Sequence, residues 1–206
     1  MFLKKTVRRY FKILKKICYQ YYLEEHENTI LEGHVEIDET QLYRMKKSFA
    51  RGRPYVYNVW LIGFRERGSS RCLIFPTETR CESFFLPLLL AHVKPESTIY
   101  TDCFSVYVNN SNLLPQSKLQ NHRYIHKYVN HKITFVNKHF PDIHTNTIER
   151  LWKSVKEHTR KHKVKKLFNL CLGRFYFHRT MEKKDQLKYL IKNLHNEYIN
   201  YFDIEF

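Results

Sequence analysis

His34-Val35-Glu36-Ile37-Asp38 is the stretch on which the fold turns. Apolar and polar residues alternate there, so Val35 and Ile37 point to one side of an extended chain while His34, Glu36 and Asp38 point to the other. The alternation predicts a strand that buries one face and carries carboxylates on the opposite one. Downstream, residues 55–64 are rich in β-branched and aromatic side chains. The turn Glu66-Arg67-Gly68-Ser69-Ser70 follows, and residues 71–75 are apolar again. An antiparallel meander of three strands is the simplest arrangement. The segment 43–54 is basic and contains Gly52 and Pro54, which reads as a loop.

Farther along, residues 83–93 are apolar over a helical length, and a cap at Ser83 would bring Pro87 close to the first turn, where proline is tolerated. A fourth strand, Thr98-Ile99-Tyr100-Thr101, ends at Asp102, and a fifth is expected around Tyr128-Val129. From Thr147 the spacing turns helical, with Ile148, Leu151, Trp152 and Val155 on one face; Trp152 reads as core packing with no role in chemistry. A basic joint at 161–166 leads to one or two helices over 167–201. Ahead of the strands, residues 7–23 set Val7, Tyr10, Phe11, Leu14, Ile17, Cys18 and Tyr21 at three- and four-residue steps between Arg8, Arg9, Lys12, Lys15 and Lys16. This predicts a basic amphipathic helix. The expected fold class is α/β: a mixed sheet of five strands flanked by helices, with a short basic N-terminal helix and C-terminal helices. The expected division is a basic helix over 1–30, a core over 31–166, and a helical part of the same domain over 167–206.

Composition narrows the function. Among 206 residues, 36 Lys and Arg face 20 Asp and Glu, a formal charge of +16 that calls for a polyanionic partner. With 43% hydrophobic and 16% aromatic residues, a disordered polycation is excluded. The longest apolar run, 84–91, is far short of a membrane span and contains Pro87, so no membrane partner is expected. Lys and Arg recur through 1–16, where a secretory signal would be apolar. An intracellular location is therefore expected: the nucleus in a eukaryote, otherwise cytoplasm or nucleoid. The five cysteines form no Cys-x-x-Cys pair, which fits a reducing compartment.

Three acids stand where this order of elements can bring them together: Asp38 on the first strand, Asp102 at the end of the fourth, and Glu149 early in the later helix. Carboxylate oxygens suit hard divalent cations, and two such ions roughly 4 Å apart can clamp both the attacking and the leaving oxygen of a phosphoryl displacement. Cleavage and joining of nucleic-acid strands is a reaction of that kind, and the surplus of Lys and Arg suits its polyphosphate substrate.

Four blocks carry a family likeness. They are Val35-Glu36-Ile37-Asp38-Glu39-Thr40; Thr101-Asp102 with Tyr107; Val129-Asn130-His131 with Phe135-Val136; and His144-Thr145-Asn146-Thr147-Ile148-Glu149-Arg150-Leu151-Trp152 with Lys156. In this order they resemble the ISXO2-like (IS1595) and Merlin transposases. The resemblance implies an RNase H-like core with a DDE-type triad, two Mg²⁺ or Mn²⁺ ions, and cut-and-paste transposition of double-stranded DNA at terminal inverted repeats. Carried across by position, the first Asp falls on Asp38 and the second on Asp102. The third place holds Asn in the insertion-sequence relatives and Glu in the Merlin relatives, and here both Asn146 and Glu149 stand in the block. Glu149 is favoured, since a carboxylate neutralises a divalent ion better than an amide does. Lys156, with Lys153 as runner-up, matches the family's DNA-holding basic residue, and His131 and His144 fall near the site. The resemblance also implies that two element ends are processed together, hence a homodimer or larger assembly on DNA. Relatives usually carry a zinc-binding or helix-turn-helix segment before the core, and neither pattern is visible ahead of Val35. The expectation is either a shortened copy or an element that relies on the core's own basic surface.

Blander readings stand beside these. Asn146 followed by Glu149 is also a capping box. Arg44, Lys46, Lys47, Arg51 and Arg53 are either a DNA-contacting patch or a solvated loop, and farther on Arg160, Lys161 and Lys163, with Lys165 and Lys166, are either a second patch or a nuclear-targeting run. His158 and His162 have zinc spacing but lie amid repelling positive charge. Cys103 reads as a small buried residue. Two competing functions remain: a transposase-derived DNA-binding protein that no longer cuts, and a stand-alone nuclease of RNase H-like fold.

Overall fold

A computed structural model describes residues 2–47, 55–109, 116–129, 142–159 and 165–202. The chain divides into two units: residues 29–154, and residues 1–28 together with 155–206.

The first unit is built on a five-stranded sheet. Strands β1 (His34–Lys47), β2 (Tyr55–Glu66) and β3 (Cys72–Thr77) form an antiparallel meander, while β4 (Thr98–Asp102) and β7 (Ile125–Val129) run parallel to β1. The spatial order is β3-β2-β1-β4-β7. A two-stranded ribbon with no signal in the sequence pattern, β5 (Val108–Asn109) with β6 (Gln116–Ser117), lies between β4 and β7 in the chain.

One expectation is corrected at the first hairpin. Residues 43–47, whose charge reads as loop, continue β1 and pair with 55–59 across the ladder. Strand pairing is made by backbone N–H and C=O groups, so a basic sequence does not prevent it.

Helix α2 (Glu82–His92) covers the face of the sheet to which Val35 and Ile37 point. Phe85 and Leu89 pack there with Ile62, Phe64, Leu73 and Ile99, all essentially solvent-free. Its N-cap is Cys81 rather than Ser83, and no side chain caps it. Pro87 lies inside this helix and is exposed, so its ring faces away from the core.

The other face of the sheet carries Glu36, Asp38 and Gly63 and is covered by helix α3 (Asn146–Thr159), whose Ile148, Leu151 and Trp152 are buried. Gly63 makes this close approach possible. A Cβ built there would lie 2.4 Å from the Trp152 ring, nearer than any real side chain could sit.

The second unit is helical. Helix α1 (Phe2–Asn28) is longer than the 7–23 periodicity predicts and buries Ile13, Ile17, Tyr21 and Tyr22, while Val7, Tyr10 and Phe11 stay exposed. Helices α4 (Lys165–Thr180) and α5 (Lys183–Phe202) pack with it. Gly173 of α4 meets the α1 backbone at Tyr19, where a Cβ would come within 2.5 Å of Tyr19 Cα. The C-terminal helical region is thus two helices broken at Met181-Glu182. No described helix is long and apolar enough to cross a membrane.

Candidate active site

The β1–β4 ladder pairs His34 with Thr98, Val35 with Ile99 and Glu36 with Tyr100. Two residues farther along each strand stand Asp38 and Asp102. Because side chains alternate with period two, both acids emerge on the face shared by Glu36 and Tyr100, on neighbouring strands roughly 4.8 Å apart. On β2 the residue opposite Asp38 is Gly63, over which Trp152 sits.

Helix α3 is fastened to this face at two points. The Glu36 carboxylate, wholly buried, accepts the backbone N–H groups of Thr147 (2.9 Å) and Ile148 (2.8 Å). One turn farther on, Trp152 Nε1 donates to Asp38 Oδ2 at 2.9 Å. From Glu36 to Asp38 along β1 is roughly 6.7 Å, and from Ile148 to Trp152 along the helix roughly 6 Å, so the two attachments are in step. Trp152 therefore packs in the core as expected, and it also holds a candidate catalytic carboxylate, a contact that the sequence reading excludes.

The start of α3 corrects a second expectation. Glu149 N–H donates to Thr145 O, so Thr145, not Asn146, is the cap residue, and Asn146 lies one place inside the helix. The two donors that an Asn146–Glu149 box would satisfy have other partners, Glu149 N–H the Thr145 carbonyl and Asn146 N–H the His144 ring at 3.4 Å, while Glu36 from the sheet takes the N–H groups between them, a negative charge at the positive end of the helix. Glu36 is itself neutralised by Arg67 Nε at 2.8 Å. Arg67 also donates to the carbonyls of Asp142 and His144 and lies 3.6 Å from the centre of the Tyr100 ring. His144 Nδ1 is 3.5 Å from Glu36 Oε1. His144 thus belongs to the helix-anchoring network.

Burial pushes the Asp38 carboxyl up to about 7; the Trp152 hydrogen bond opposes this, and the charges of Asp102 and Glu149 add to it. Asp102 and Glu149 are therefore both within electrostatic reach of Asp38. Asp102 Oδ1 accepts the N–H of Phe104 at 2.9 Å. Glu39, the next residue on β1, faces the α2 side and takes a hydrogen bond from the buried Tyr107 hydroxyl. Burial raises Glu39 to about 7 as well; that hydrogen bond counters the rise, and Asp38 and Asp102 reinforce it. The sequence pattern assigns neither Glu39 nor Glu36 a role, although Glu36 shares the parity of Asp38. Their partners lie 68 and 111 residues away, a link that no local pattern carries.

Glu149 stands exposed in the first turn of α3 and Asn146 is half-buried. Lys153 is exposed and Lys156 half-buried on the same helix. Cys103 is half-buried, its thiol raised by burial and then by Asp102. Arg51, Arg53, His131, Arg160, Lys161, His162 and Lys163 lie outside the described residues; for Arg44, Lys46 and Lys47 only the strand backbone is described. Among the described residues, no three side chains of His, Cys, Asp or Glu close on a common point tightly enough to hold a metal ion.

Residues 30–179 match the family model of the ISXO2-like transposase domain. No curated protein and no solved structure matches the chain.

Proposed function

The chain belongs to the ISXO2-like transposase domain family, and on that premise we propose that its sheet is an RNase H-like core that cuts and joins DNA strands at Asp38, Asp102 and Glu149. The strand order supports this reading: an antiparallel three-stranded meander whose first strand continues into two parallel neighbours. The observation that carries it is the placement of Asp38 and Asp102 on one face of adjacent parallel strands, with the start of α3 anchored over them through Glu36.

The donor set suits Mg²⁺ or Mn²⁺. It consists of hard carboxylate oxygens; burial lifts Asp38 most, and the charges of Asp102 and Glu149 add a repulsion that divalent charge would relieve. Asp38 and Asp102 would hold the ions, with Glu149 as the third ligand and Asn146 as its alternative. When bound, such ions polarise the scissile phosphate and neutralise charge built up during in-line displacement. The chain's own contribution is placement. Trp152 fixes the Asp38 carboxylate, Glu36 and Arg67 fix the helix that carries Glu149, and Lys153 and Lys156 offer positive charge to the DNA backbone on that same helix. Two element ends must be handled together, so the working form is a homodimer or larger assembly on DNA.

The test is strand cleavage and transfer of oligonucleotides bearing the element's inverted repeat, in Mn²⁺, by the wild type and by Asp38→Asn and Asp102→Asn. Loss of both steps in each variant is expected. Undiminished activity in both overturns the assignment.

A further inference from the structure

In the helical unit, the end of α3 and one side of α4 border a surface groove of about 490 Å³ lined by His158, Arg174, Phe175, His178 and Arg179. Among the described residues, no carboxylate lines it. Phe175 is buried and forms the floor; the His158 ring lies 5.2 Å from its ring and the Arg179 guanidinium 6.0 Å from its centre. These contacts orient the imidazole and the guanidinium before any ligand arrives. His178 Nδ1 donates to Gln186 Oε1 at 2.9 Å, which fixes the orientation of the ring. Arg179 Nε is buried with no acceptor among the described residues, so this guanidinium holds donor capacity that the described protein does not use. An arrangement of arginine forks with imidazoles and no acid is chemistry for phosphate oxygens.

We infer that this groove seats backbone phosphates of DNA. It is a contact additional to those of Lys153 and Lys156, and it rests on the DNA-processing reading of the chain. A closed cavity would select a small free anion. Here His158, Arg174 and His178 are all exposed, so a continuous strand can pass across them.

The experiment uses the full chain and a fluorescein-labelled duplex of arbitrary sequence, with affinity followed by anisotropy over a salt series. Each phosphate neutralised adds about 0.9 to the slope of log affinity against log salt, so the double variant R174Q/R179Q should lower that slope by about two. H158Q/H178Q, which leaves both arginines in place, should lower it by a smaller amount and stands in should the arginine variant not fold, as judged by circular dichroism. Inorganic phosphate is titrated in parallel while the His158 and His178 ring resonances are followed by NMR. Saturation by free phosphate with a duplex slope indifferent to the variants makes the groove a free-anion site and overturns the inference. Displacement of the duplex by polyglutamate of equal charge, lost in R174Q/R179Q, reassigns it to an acidic protein segment and likewise overturns it. A wild type that binds no duplex at all removes the transposase reading together with this one. Duplex binding whose slope is the same in wild type and both variants removes this one alone.

Discussion

The acidic face of the sheet and the cationic groove of the helical unit handle charge in opposite ways. On the sheet, each carboxylate on β1 already has a donor: Glu36 takes two helix N–H groups and Arg67, Asp38 takes the Trp152 indole, and Glu39 takes the Tyr107 hydroxyl. In the groove, among the described residues, Arg179 carries a buried N–H with no acceptor and no acid lines the surface. Glu36 above all is built into the architecture, and losing it disturbs the fold. The groove's cations stand beside it, and losing them should disturb only what binds.

The largest effect expected from that contrast is at Glu36. Glu36→Ala strips two backbone donors and Arg67 of a buried partner and should cost about 3 to 5 kcal/mol, measured by urea unfolding. A change below about 1 kcal/mol would show that the helix start is satisfied by other means. Next comes Gly63→Ala, whose methyl group meets the Trp152 ring. Overpacking there should cost about 1 to 3 kcal/mol and shift the indole fluorescence as Trp152 gives way.

Trp152→Phe keeps an aromatic ring but loses the donor to Asp38 and part of the buried indole, at a cost of about 1 to 2 kcal/mol. Because that bond holds the Asp38 pKa down, its loss should push the carboxyl above its value of about 7, which carboxyl NMR titration would read.

Asp38 also sets a pH dependence in the metal-free protein. Its folded pKa of about 7 lies above the 3.8 of a free aspartate, so the native state holds a proton that the unfolded chain has released. Stability should therefore fall as pH rises from about 4 to about 7. Glu39 adds to the same slope. Asp38→Asn should flatten the profile and raise the melting temperature by a few degrees at neutral pH, checked by thermal melts across pH. A parallel drop in wild type and variant would place the dependence elsewhere. The smallest effect on stability is expected from R174Q/R179Q, within about 0.5 kcal/mol of wild type, even as its DNA salt slope changes.

Much of the sheet is legible in the order of residues because alternation and turn chemistry act over a few positions. The meander, the strand ending at Asp102, the strand at Tyr128-Val129 and the apolar face of α3 all follow from local pattern. Charge misleads at 43–47, because it suggests a loop where the backbone ladder continues regardless. The capping box fails for a different reason: Asn146 and Glu149 have the right spacing, but the helix starts one residue earlier, so Thr145 O takes the Glu149 N–H and the His144 ring takes that of Asn146. The pairing of Glu36 with Thr147, and of Tyr107 with Glu39, depends on which surfaces meet.

The amino-acid order alone determined the strand that carries Glu36 and Asp38, the helix that carries Glu149 and Trp152, the excess of positive charge and the family to which these blocks belong. Only the tertiary structure decided that Glu36 is an anchor, that Trp152 grips Asp38, and that two arginines and two histidines share one groove. Periodicity is set by backbone geometry within a segment, whereas the partner of a charged group is set by packing between segments far apart in the chain.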